Sequence, residues 1–110
     1  MRNLFLICDR ELAHKPALLI TVSAGTGGAY PIAELRMSSY KNSRVCYIPD
    51  HVIVRGAEQM LNTPESVNAN DALIRDRLAY SVKVLEEYAK AFQNIRKSGV
   101  IDFETYPNGM

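Results

Sequence analysis

The sequence has little of what marks most functional classes at sight. Its 13 Lys and Arg are balanced by 12 Asp and Glu, a formal charge of +1. Composition therefore creates no field for polyanions, and no nucleic-acid partner is expected. Only two cysteines occur, Cys8 and Cys46, without CxxC spacing and too few for a disulfide framework, so both read as reduced thiols lining a core. The two histidines, His14 and His51, have no Cys or carboxylate in ligand spacing, and no metal site is expected. No apolar run approaches the roughly 18 residues of a membrane span. The apolar stretch from Leu4 to Cys8 is cut by Asp9 and Arg10 before it reaches the length of a signal core. With neither span nor export signal, the expectation is a cytoplasmic protein with no membrane partner.

The familiar catalytic motifs are missing as well. Ser23 lies between Val22 and Ala24, outside any GxSxG context. No Lys follows Gly28, which excludes a GxxxxGK[ST] phosphate loop; Gly25 and Gly27 fit the first two positions of GxGxxG, but Tyr30 occupies the third. No residue is assigned as catalytic.

What remains is 110 residues, 47% hydrophobic and 23% charged, the composition of one small soluble domain. Met1, Leu4, Phe5, Cys8 and Leu12 recur at three- and four-residue spacing and predict one opening helix ending near Ala13. The run Ala17 to Val22, ALLITV, is continuously apolar and predicts a parallel strand buried on both faces. A glycine loop, Ser23 to Gly28, leads into a helix over Tyr30 to Met37, where Pro31 suits the first turn; Lys41, Asn42 and Ser43 close it. Arg44 to Ile48 predicts a second strand, Pro49-Asp50 a turn, and His51 to Val54 a further short extended piece.

After a polar loop from Gly56 to Asn70 with a short turn around Ala57 to Leu61, a 3.6-residue period runs from Asp71 to Arg96. It is carried by Ile74, Leu78, Val82, Leu85, Tyr88 or Ala89, Phe92 and Ile95. Gly99 ends that helix. The organisation is one α/β domain over 1–98 and a tail over 99–110, the tail being either a loose terminus or an arm laying Val100, Ile101 and Phe103 on a neighbour.

The glycine loop is the one segment with chemistry above background. A loop leaving a buried strand and entering a helix presents backbone N–H groups that glycine leaves open to a ring or an anion. The same glycines also suit a plain tight turn, and both readings stand. Arg36, Lys41 and Arg44 form a basic cluster that either meets a phosphate or is solvated at helix ends.

The segment HKPALLITVSAGTGGAYPIAELR resembles the fourth strand, flavin-side loop and following helix of the flavodoxin-like NADPH-dependent FMN reductases, a family that includes quinone, azo-dye and chromate reductases. Ser43 to Pro49 resembles the fifth strand and its exit, Asp71 to Phe92 the closing helix, and Met1 to Leu12 the helix before the fourth strand. The resemblance covers Arg2 to about Arg96 and implies a partial flavodoxin-like parallel sheet with flanking helices, the carboxyl-side half of that fold. It implies flavin-mediated hydride transfer from NADPH to a small acceptor such as a quinone. The residues that match the loop at the pyrimidine edge of FMN are Ser23, Gly25, Thr26, Gly27 and Gly28, with Tyr30 at the start of the next helix. The family's phosphate-binding Ser- and Arg-bearing loop and its Pro-Glu-Tyr-Asn loop have no counterpart here.

A sheet so small is expected to be completed by homo-oligomerisation, through the Ala17 to Val22 strand or through the helices. The alternative function is a non-catalytic homo-oligomeric interaction module or fragment derived from a flavin reductase.

Overall fold

In the computed structural model, which describes residues 2–39 and 43–109, the chain forms a mixed α/β unit. Met1, Lys41 and Asn42, each part of an expectation above, lie outside the described residues. The elements are α1 (Arg2–Ile7), α2 (Asp9–Leu12), β1 (Pro16–Ser23), α3 (Ala29–Ser38), β2 (Cys46–Arg55) and α4 (Ala69–Lys97). β1 and β2 pair in parallel as a two-stranded sheet, with α3 as the crossover between them.

The opening helix is two helices. Cys8 takes φ −106° and ψ 37°, outside the helical range, and separates α1 from α2. Leu4 and Ile7, apolar residues of α1, are exposed, so neither of them anchors α1 to the rest of the chain. The chain leaves α2 at Ala13, which is buried and extended.

β1 is covered on one face rather than two. Leu19 and Thr21 are buried, whereas Ile20 and Val22 are 47% and 65% exposed. Thr21 pairs with Ile53 on the face toward α3, and Ile20 and Val22 pair with Val52 and Val54 on the face toward α4. There α4 lays Ile74 and Leu78 on Val52, Val54 and Met60, the buried apolar cluster. Each fully buried valine contributes about 1.5–3 kcal/mol by leaving water.

Pro49-Asp50 is no turn, and β2 is one ten-residue strand running through both residues. Between the pairs Ala17↔Tyr47 and Leu19↔His51, one residue of β1 faces three of β2, a bulge. Pro49 has no N–H to give the ladder. The freed carbonyls find a donor elsewhere: Arg36 Nη2 of α3 donates to Ile48 O at 2.9 Å and to Pro49 O at 3.2 Å. Arg77 of α4 donates to the Asp50 carboxylate at 2.9 Å.

α4 begins two residues earlier than its apolar period, at an N-cap made by Asn68, whose Oδ1 accepts from Asp71 N at 2.8 Å. Its inward stripe passes through Ser81, which is fully buried, and not through the half-exposed Val82. Asp71 is also fully buried and ties down the preceding loop, accepting from Leu61 N at 2.9 Å, Val67 N at 3.1 Å and Arg75 Nε at 3.2 Å. The bond from Leu61 N holds its carboxyl below the usual range against the opposing effect of burial, with Val67 and Arg75 adding to it. Arg75 donates onward to Thr63 O and Pro64 O. The short turn in this loop is a 3-10 turn over Ala57–Gln59.

Candidate functional site

The Ser23 to Gly28 loop lies at the carboxyl ends of both parallel strands, where ligands of open α/β sheets bind. The bonds that reach its glycines land on carbonyl oxygens. Thr21 Oγ1 donates to Gly28 O at 2.6 Å, and Ser23 Oγ and Gly56 N donate to Gly25 O at 3.0 and 3.3 Å. Arg55 Nε, from the last residue of β2, donates to Thr26 O at 2.8 Å and Gly27 O at 3.0 Å. The carbonyls are drawn to β1 and β2, and residues Ala24 to Gly27 are exposed.

The three glycines separate into two kinds. Gly28, the N-cap of α3, has φ +87°, and a Cβ there would lie 2.7 Å from Ile53 Cγ2. Left-handed backbone and close packing both demand glycine at this position. At Gly25 and Gly27 an added Cβ meets nothing within 4 Å, and neither has a positive φ. The fold has no use for their missing side chains, and the space over them is open.

All six residues that the sequence singles out, Ser23, Gly25, Thr26, Gly27, Gly28 and Tyr30, are thus gathered at one end of the sheet, with Tyr30 84% exposed on α3. Pro31 stands third in α3, within the first turn as expected. Arg55 is a positioning residue that sequence reading missed. Its only local signal is a long cation at the end of an apolar strand.

The basic cluster does not assemble among the described residues. Arg36 serves the β2 bulge, whereas Arg44 donates to Tyr106 O and Pro107 O. Arg44 also lies 5.1 Å over the Phe103 ring, which Arg10 approaches at 5.8 Å. These contacts fold the tail back on its own chain and frame a cavity of about 260 Å³ lined by His14, Arg44, Ile95, Ile101, Phe103 and Tyr106, among others. His14 has its pKa lowered, by burial first and then by the Arg44 charge. Burial pushes the Cys46 thiol up, away from the thiolate needed for redox attack. Among the described residues no group of three or more His, Cys, Asp or Glu could hold a metal, and no helix is long and apolar enough to cross a membrane.

FMN presents a planar ring and a phosphate. For a ring, the space over Gly25 and Gly27 is open, with nothing within 4 Å of an added Cβ. For the phosphate, Arg36 and Arg44 are turned to carbonyls elsewhere, and Arg55 gives its Nε to the loop itself. Comparison with protein-family models, with curated proteins and with solved structures finds no match.

Proposed function

We propose that this chain is a flavodoxin-like, flavin-reductase-type element whose Ser23 to Gly28 loop receives the pyrimidine edge of a flavin. The observation that carries the reading is the pair Gly25 and Gly27, glycines that neither packing nor backbone conformation requires, standing open at the carboxyl end of a parallel sheet. When bound, the flavin would supply the hydride chemistry, from NADPH to a small acceptor such as a quinone. The chain's part is to hold the loop rigid through Arg55 and Thr21, to offer backbone N–H donors to the ring's carbonyl and nitrogen acceptors, and to present Tyr30 at the rim.

Flavin fluorescence tests this. Riboflavin and FMN should both be quenched saturably and with similar affinity, because the ring and not the phosphate is held. Gly27→Val should weaken binding by about tenfold or more with the fold unchanged. Absence of quenching, or equal quenching by the variant, would remove the proposal. NADPH oxidation with a quinone acceptor then separates a reductase from a binding element. The second reading, a non-catalytic interaction module, is favoured by a different observation, the exposed Ile20 and Val22 of β1.

A further inference from the structure

The amino ends of β1 and β2, at the other end of the sheet from the glycine loop, carry the cavity that the tail builds. Ile101, Phe103 and Tyr106 close there against His14, Arg44 and Ile95 around about 260 Å³. Part of its wall is apolar and left in water: Val100, Tyr106 and Ile95 are 75%, 68% and 42% exposed. The rest is cationic. Arg44 and Arg10 lie 5.1 and 5.8 Å over the Phe103 ring, and Arg96 donates to His14 O at 3.0 Å. None of these three guanidiniums has a carboxylate partner among the described residues. Asp9 accepts from the main-chain N–H of Arg10 and not from its side chain. Arg44 gives one N–H each from Nη1 and Nη2 to Pro107 O and Tyr106 O, which leaves most of its five donors and all of its charge unmet. The carboxylate lining the cavity, Asp102, is taken up within the tail, its Oδ1 accepting from Glu104 N at 3.0 Å and Thr105 N at 2.9 Å.

We propose that this cavity binds a small aromatic carboxylate, its ring against Phe103, Tyr106 and the apolar wall and its carboxylate on Arg44. Charge and shape select this class together. Guanidiniums without a carboxylate call for an anion, and a planar carboxylate matches the fork of an arginine. The exposed Ile95, Val100 and Tyr106 call for apolar cover, which an inorganic anion does not supply. The aromatic faces of Phe103 and Tyr106 favour a ring over an aliphatic chain. Size limits the occupant to one ring: an apolar cavity of about 150 Å³ takes up benzene, whereas drug-sized ligands use about 300 Å³ or more. His14, its pKa lowered by burial and then by the Arg44 charge, is neutral near pH 7 and contributes a ring rather than a charge.

The proposal is independent of flavin binding, and its test uses none. Benzoate, benzamide and acetate are titrated into the full chain and followed by proton NMR at its two histidines. Benzoate should shift the His14 ring signals saturably, with a Kd of about 1 mM or tighter, and leave the exposed His51 of β2 unmoved. Benzamide has the ring without the charge and acetate the charge without the ring, and each should bind at least about tenfold more weakly. Arg44→Gln should weaken benzoate by about tenfold or more. The proposal is overturned by any of four results: no saturable shift at His14, an equal shift at His51, equal affinity for benzamide or acetate, or parental affinity in Arg44→Gln. Should Arg44→Gln release the tail, the comparison of benzoate with benzamide on the parent chain decides, because the two share a ring and differ in charge.

Discussion

Gly28, Gly25 and Gly27 stand within four positions of one another and answer to different demands. Gly28 is held by the fold, and Gly28→Ala should cost about 2–5 kcal/mol, the sum of left-handed strain and overpacking against Ile53. Gly25→Ala should stay within about 0.5 kcal/mol of the parent, as surface changes away from special features do. Urea unfolding of the two variants checks both, and equal losses would mean that the loop packs more tightly than its open space suggests. Ser81 shows the opposite tension. Its hydroxyl is fully buried in the inward face of α4 and finds no partner among the described residues, a cost that the neighbouring apolar contacts must offset.

At the scale of elements, irregular segments are held by side chains reaching from elsewhere. Asp71 and Arg75 of α4 secure the loop between Leu61 and Val67. Because the Asp71 carboxyl is more acidic in the folded chain than in the unfolded one, its stabilising effect is complete above the ordinary carboxylate range and is lost as pH falls through the lowered value. Asp71→Asn should therefore lower the urea midpoint at neutral pH, with the gap to the parent narrowing toward pH 3 or so, below the unfolded pKa of about 3.9. A gap independent of pH would place the effect in shape rather than charge.

The same remoteness explains what could be read from the sequence. β1, α3 and α4 follow from local pattern, and the candidate loop follows from its position between the first two. The passage of β2 through Pro49 does not, because its carbonyls depend on Arg36, twelve residues upstream. The folded-back tail depends on Arg44, more than sixty residues away. The break at Cys8 is a matter of one residue's dihedrals, and the exposure of Ile20 and Val22 reflects how little covers one face of β1. No periodicity records that.

The whole molecule is long and thin, 53 × 26 × 18 Å, with α4 running its length. α4 starts beside the carboxyl end of the sheet and finishes where Arg96 donates to His14 O, at the entrance to β1. The tail closes over that second end through Phe103, set among His14, Arg10 and Arg44. Phe103→Ala should release it: limited proteolysis should clip between residues 99 and 109, while hydrogen exchange in β2 keeps its parent rate. Faster exchange throughout the sheet would make the tail part of the core instead.

Arg36, Arg44, Arg55, Arg75 and Arg96 each donate to main-chain carbonyls of a segment outside their own element. Each attachment ends on a carbonyl that every residue type carries, so changing the residue at the receiving position leaves the acceptor in place and only loss of the arginine removes the tie. Asp71 and His14 respond only on the acid side. Acid should therefore loosen the chain at the two ends of α4, where these two groups sit.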